Sequence, residues 1–330
     1  MADDGRQPLL KDAKPLDELI KDWRADVEQE HVNRDGARPD ALTIAVLSDV
    51  HGVSLALDAV LRSAYAMGAK QIWCLGDVVG RGPSPDQCIE RFASLGPVLL
   101  PVWLIGNHEA MWLDENGNSS IDDLGATKLV IADHRRQLES VLVRRSHPPR
   151  FRTVWEWSSY ACIAPISNGP TIFAVHGGAP TTFSTPFEVY VDSRQKVESL
   201  LKHGRDRASA LAIPPPTILL AGHTHVPDAW EWSTGACHLH QLQVRFGRDT
   251  PVAGECVYMN VGSSGGFSRG GTEHSTYAIL RISDEGTSWS IIEVATDLEP
   301  ERAKMRSLSY PTELIRELGP QPNLAHQGNS

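Results

Sequence analysis

"PPPTILLAGHTH", residues 214–225, runs from an apolar stretch into two histidines one residue apart. Side chains two apart on an extended backbone point to the same side, so His223 and His225 can aim at one object. The preceding residues, 217–221, have the length and composition of a short strand buried on both faces. Five similar runs occur elsewhere: "LTIAVL" (42–47), "QIWCL" (71–75), "PVWLI" (101–105), "TIFAV" (171–175) and "CVYMNV" (256–261). Amphipathic segments lie between several of them, as in "SLALDAVLRSAYAMG" (54–68) and "SPDQCIERFASLG" (84–96). Alternation of this kind predicts an α/β protein with buried strands.

Composition sets the outer bounds. The 330 residues, 41% hydrophobic and 22% charged, suit a soluble globular protein with one large core or two smaller ones. No apolar run approaches the ~18 residues of a membrane span. The opening "MADDGRQPLLKDAKPLDELIKDW" lacks the basic start and apolar core of a secretory signal. Five scattered cysteines form no CxxC, which argues against a disulfide framework or a thiolate zinc site. A cytoplasmic protein without a membrane partner is expected. The net charge of −10 disfavours generic nucleic-acid binding, and a nuclease with it. An anionic substrate stays open, because bound cations can reverse the sign of a site locally.

Residues 1–40 read as a polar leader, with Leu16, Leu19, Ile20, Trp23 and Val27 at the spacing of one docked helix. The main domain is expected over 41–297. Within it, 121–146 reads as additional helix and 230–256 as an insertion or long hairpin. "STYAILRIS" and "TSWSIIEV" make a strand pair around the turn "DEG". Residues 298–330 read as a polar, mobile C-terminal tail.

The residues at the end of each apolar run carry the chemistry. The six tips are Asp49 and His51, then Asp77, then Asn107-His108-Glu109, then His176, then His223 and His225, and finally Asn260 with a glycine-serine turn. In open α/β sheets, ligands bind beyond the carboxyl ends of the strands. Parallel strands would gather two carboxylates, up to five imidazoles and an amide oxygen at one edge. Mixed donors of this kind suit Mn, Fe, Zn or Ni better than Ca, which prefers oxygen alone. His134, His238, His240 and the remaining histidines lack the strand-tip setting and are read as surface or structural.

With the blocks D-x-H, G-D, G-N-H-E, H-G and G-H-x-H in this order over residues 47–225, and "VYMNVGSSG" after them, the sequence resembles the calcineurin-like metallophosphoesterases. The resemblance implies a four-layer αββα sandwich of two mixed sheets flanked by helices, with a metal site at the strand ends. It further implies two divalent ions. Asp49, His51 and His225 would hold one, Asn107, His176 and His223 the other, and Asp77 would bridge them. Two such ions with two aspartates and a bridging hydroxide leave a net charge of about +1 to attract phosphate. His108 would then protonate the leaving oxygen. Glu109 would either orient His108 and sustain its cationic form, or serve as a carboxylate at a helix N-terminus.

"GDVVGRGPSPDQC" is similar to the small prokaryotic phosphoesterases, but Arg81 stands where those have Tyr. An arginine at that point resembles the phosphoprotein phosphatases and the diadenosine-tetraphosphate hydrolases, where it contacts substrate phosphate. The bland alternative pairs Arg81 with Asp86 or Glu90. The expected activity is hydrolysis of phosphate monoesters by a metal-bridging hydroxide, on a phosphorylated small molecule, a nucleotide or a phosphoprotein. Phosphodiester or dinucleoside-polyphosphate cleavage is the alternative. A non-catalytic protein-binding scaffold is a third reading, which the complete set of ligand positions disfavours.

Overall fold

The computed structural model describes residues 14–33, 41–113, 130, 132–134, 136–137, 161–166, 169–179, 189–233, 238–267, 269 and 274–319. Two six-stranded sheets form its centre. The first contains β1 (Ala41–Leu47), β2 (Gln71–Cys74), β3 (Val102–Trp103), β9 (Thr250–Pro251), β11 (Ser275–Ser283) and β12 (Gly286–Val294). Its order is β3-β2-β1-β11-β12-β9, with β1, β2 and β3 mutually parallel. The second contains β4 (Ala161–Pro165), β5 (Thr171–Val175), β6 (Ile218–Ala221), β7 (Asp228–Ser233), β8 (His238–Gln241) and β10 (Cys256–Asn260). Here the order is β4-β5-β6-β10-β7-β8, and β5, β6 and β10 run parallel.

The period-two alternation of a strand explains the layering. Ile44 and Val46 of β1 face the space between the sheets, where they meet Ile172 and Ala174 of β5, Ile218 and Leu220 of β6, and Val257 and Met259 of β10. The alternate residues, Ala45 and Leu47, face outward. They pack under α2 (Ser54–Ala66) and α3 (Pro85–Leu99) through Leu57, Leu61, Ile89 and Phe92. The short helix α4 (Asn107–Leu113) follows β3. On the far side, Phe173, Leu219 and Tyr258 pack under Val197, Leu200 and Leu201 of α5 (Arg194–Ala210). Strands buried on both faces therefore read as continuous apolar runs, and the four-layer αββα arrangement is the result.

The leader helix is present as α1 (Leu16–Asn33) and longer than its apolar stripe suggested. Leu16, Ile20, Trp23 and Val27 are buried against the first helix layer, and the Trp23 indole N–H donates to the Ala69 carbonyl at 2.7 Å. Within residues 230–256, expected as an insertion or long hairpin, β7 and β8 pair antiparallel, β7 also pairs with β10, and β9 joins the other sheet. Nor are residues 298–319 a polar tail. They form α6 (Glu299–Ser307) and α7 (Thr312–Glu317), whose Met305 and Leu314, with Leu318 just after α7, share a buried cluster with Val53, Ala56 and Phe267. Of the expected helix at 121–146, residues 130, 132–134 and 136–137 are described and are helical, while the rest, like 320–330, lie outside the described residues. Among the described residues no helix is long and apolar enough to cross a membrane.

Candidate metal centre

All the parallel strands of both sheets end at the same edge, and their tips lock to one another through backbone bonds. Asp49 N–H donates to Gly76 at 3.0 Å, His51 N–H to Asp77 at 2.8 Å, Gly222 N–H to His176 at 2.8 Å and Ser264 N–H to Ser48 at 2.8 Å. Asp49, His51, Asp77, His223 and His225 all have left-handed backbones, with φ between 54° and 68°. Ala212 and Ser309 are the other such non-glycine residues among those described. That conformation costs an L-residue on the order of 1–3 kcal/mol, and it persists where a site requires it. Its effect is to turn consecutive side chains off their strands into one space.

Each aspartate divides its two oxygens. Asp49 Oδ2 accepts the His223 amide at 2.9 Å, and Asp77 Oδ1 accepts the His108 amide at 2.9 Å. That leaves Asp49 Oδ1 facing His225 Nε2 at 3.3 Å and His51 Nε2 at 3.8 Å. Asp77 Oδ2 faces His176 Nε2 at 3.3 Å and His51 Nε2 at 3.8 Å, so it lies between the two groups of histidines. Carbonyls fix two of the rings. His51 Nδ1–H donates to Val79 O at 3.2 Å and His176 Nδ1–H to Leu75 O at 3.0 Å. Both therefore turn Nε2 inward, which is how outer hydrogen bonds orient a metal ligand.

The ligand atoms of Asp49, His51 and His225 lie within 4.8 Å of one another, as do those of Asp77, His176 and His223. Asn107 Oδ1 joins the second group, 3.1 Å from His176 Nε2. The seven residues expected as ligands are thus brought together, and His108 lies among them: His51, Asp77 and His108 form a third group of the same kind. Asp49 Oδ1 and His223 Nε2 are buried with no hydrogen-bond partner among the described residues. Leaving such atoms bare costs about 1–3 kcal/mol each, so the site is built for something that satisfies them. Divalent transition ions fit this donor set.

The electrostatics are those of a compact buried cluster. Burial would raise both aspartates, but the surrounding histidines outweigh it: His225 first among them lowers Asp49, and His176 and His108 hold Asp77 well below the usual range. Burial would lower His176, yet Asp77 and Asp49 lift it to about 9. His223 falls to about 3, through burial and then the neighbouring His176.

His108 lies over the junction, its Nε2 3.9 Å from Asp77 Oδ2 and its ring 4.6 Å from that of His51. Burial holds it to about 3, with Asp77 opposing and Arg81 adding to the effect. Gly80, at φ +132°, passes so close that any Cβ there would collide with the His108 ring. Glu109 does not orient His108. Its oxygens accept the backbone N–H groups of Asp77 (2.7 Å), Gly106 (2.8 Å) and Val79 (3.0 Å), so it clamps two strand tips together. Burial and the charge of Asp77 raise its carboxyl to about 7. Arg81 pairs with neither Asp86 nor Glu90; its partner is Glu317 of α7.

Sequence reasoning passed over the surroundings of this cluster. His134 is fully buried: its Nδ1 accepts the Gly80 N–H at 3.1 Å and its Nε2–H donates to Gly82 O at 2.7 Å, pinning the turn that carries Arg81. No local pattern marks it. Phe267 and Arg269 come after the sixth strand tip in "GGFSRGG", where an aromatic and an arginine between glycines were a usable signal.

The family model described as calcineurin-like phosphoesterase matches residues 42–236. An uncharacterized protein of Methanocaldococcus jannaschii is 30% identical over 156 residues, covering 42% of this chain and 63% of that protein, less than two thirds of its length. A metallophosphoesterase from Sphaerobacter thermophilus aligns in structure with a TM-score of 0.56 and 26% identity, over 84% of this chain and 98% of its own. A hypothetical protein from Pyrococcus horikoshii shares the fold, with a TM-score of 0.59 and 18% identity over 88% of this chain and all of its own.

Proposed function

The chain belongs to the calcineurin-like phosphoesterases, and from that premise we propose that it is a dinuclear metal-dependent phosphatase acting on phosphate monoesters. The observation that carries this is the arrangement at Asp77. One oxygen is engaged by a backbone amide and the other lies between two histidine groups, each completed by a second carboxylate or an amide oxygen. In this reading Asp49, His51 and His225 hold one ion and Asn107, His176 and His223 the other. Ions held there supply Lewis-acid activation of water and of the phosphoryl oxygens.

The chain's own residues do the rest. The tips fixed by Glu109 and by the inter-strand bonds keep the donors from relaxing when charge develops, the condition for electrostatic stabilisation. His108 faces the same space and is neutral in the resting site. The negative charge of a bound phosphate favours a proton on its imidazole, which it then delivers to the leaving oxygen. A diester reading is supported by one observation: Arg81, the residue that would favour a dianionic end group, already has Glu317 as its counter-charge.

Steady-state kinetics with Mn²⁺ on 4-nitrophenyl phosphate and bis(4-nitrophenyl) phosphate, for wild type and Arg81→Ala, tests both readings. The monoester is expected to be preferred, with about two metal equivalents bound per chain. Preference for the diester, indifferent to Arg81, would replace the proposal with a phosphodiesterase. Purification without tight divalent ions, and no activity on restoring them, would leave a scaffold.

A further inference from the structure

Two stacks of side chains extend from the two histidine groups. On one side the rings of His51 and Phe267 meet edge to face at 5.6 Å, and the Arg81 guanidinium lies 5.8 Å from the centre of the Phe267 ring. On the other, Tyr190 stacks on His223 at 4.0 Å and 20°. Above Tyr190 comes Arg269, 5.4 Å from the ring centre and donating an Nη1–H to the hydroxyl at 2.8 Å. Both arginines lie near enough to His225 for their charges to act on it.

They differ in what balances them. Arg81 is buried and already has Glu317. Arg269 is exposed, and among the described residues no carboxylate pairs with it; a phenol oxygen and a ring face are its contacts. The ring holds the guanidinium in place by stacking and one hydrogen bond, which leaves most of its five donors unused. A planar, charged fork set beside a phosphate-directed centre and lacking its own anion is suited to take one from the substrate.

We propose that Tyr190 and Arg269 form a second anion subsite, which binds a phosphate or carboxylate of the substrate other than the one being cleaved. The proposal rests on the phosphoesterase reading and narrows the substrates to phosphate esters carrying a further negative group. Adding that group should lower KM through Arg269 and leave kcat nearly level, because the contact is made equally in the ground and transition states.

The experiment compares matched pairs of substrates: adenosine 5′-monophosphate with adenosine 3′,5′-bisphosphate, and glycerol 3-phosphate with 3-phosphoglycerate. Wild type is expected to favour the doubly anionic member of at least one pair, and which pair distinguishes phosphate from carboxylate. In Arg269→Ala that preference should shrink by about 10- to 100-fold in KM, the worth of a charge-assisted hydrogen bond. Arg269→Lys should restore part of it. Arg194→Ala, an exposed change on α5, should alter nothing. No preference in wild type, or equal effects of Arg269→Ala on both members of each pair, overturns the subsite and leaves the phosphatase standing. Hydrolysis of 4-nitrophenyl phosphate but of none of the four overturns the subsite alone; failure on 4-nitrophenyl phosphate as well overturns the phosphoesterase reading and the subsite with it.

Discussion

The floor of the site and its rim are held in opposite ways. On the floor, Asp49, His51, Asp77 and His176 are fixed by backbone bonds between neighbouring strand tips and His223 by its amide on Asp49 Oδ2, and every one of them is 5% exposed or less. The rim is tied by side chains that reach across the molecule: Arg81 to Glu317, Arg269 to Tyr190, and His134 to the turn at Gly80 and Gly82. A floor of this kind allows little change, because a donor moved by a residue points away from the cluster. A rim tied by a few side-chain contacts can be altered without disturbing the chemistry beneath it. Under the proposed function, the floor sets the reaction type and the rim the choice of substrate.

The largest effect should come from the floor. Asp77→Asn removes the charge that lies between the two histidine groups, and metal content measured by mass spectrometry should fall below two per chain. Activity should drop by about 10³-fold or more, since several kcal/mol of charge stabilisation is lost. Activity within tenfold of wild type would break the assignment of chemistry to the floor. His108→Ala comes next, with both ions retained and kcat lower by ~10²–10⁴-fold, the usual worth of an acid–base group. Loss of metal in that variant would make His108 a ligand, a role its place 3.9 Å from Asp77 Oδ2 leaves within reach.

The same contrast explains what could be read in the sequence. The floor was legible because each donor comes within a few residues of its own apolar run, and a strand buried on both faces announces itself. Leu219 and Leu220 face different cores, yet both are apolar for the same reason. Helix α1 was legible from Leu16, Ile20, Trp23 and Val27. Helices α6 and α7 were not, because Met305, Leu314 and Leu318 stand far apart among charged residues and their partners, Val53 and Phe267, are distant in sequence. Of the two roles open to Glu109, the structure departs from the pairing with His108 and keeps the carboxylate at a helix N-terminus, where it takes the Gly106 N–H. Adjacency to His108 suggested a pair, while the backbone amides of Asp77, Val79 and Gly106 take its oxygens instead. Glu317, Tyr190 and His134 act through contacts that no spacing rule links to the motifs.

Glu317→Gln sharpens the comparison at the rim. It leaves the Arg81 guanidinium, 3% exposed, without its counter-charge, and the partner's own exposure makes the resulting loss of stability modest. If Arg81 can serve substrate, its release should lower KM for 4-nitrophenyl phosphate by up to about tenfold with little change in kcat. An unchanged KM would make Arg81 part of the wall that holds α7 in place.

The smallest effect, and the most selective, concerns His134. Its neutral ring satisfies Gly80 and Gly82 at once, and a second ring proton would face the Gly80 N–H. Burial lowers it from the ordinary 6.5 to about 4, with the Gly82 carbonyl and nearby acids opposing. Between those values the unfolded chain binds the proton and the folded chain does not. Stability is therefore intact above pH 6.5, falls as the pH drops from there, and levels off below about 4. From pH 7.5 to 5 this one group should remove about 2 kcal/mol. His134→Gln keeps a donor and an acceptor but cannot titrate. Urea unfolding at the two pH values should then show the variant weaker than wild type at pH 7.5 and less sensitive to acid by about that amount. Equal acid sensitivity in the two proteins would mean that His134 is protonated in place, and that the turn bearing Arg81 is held by something other than this ring.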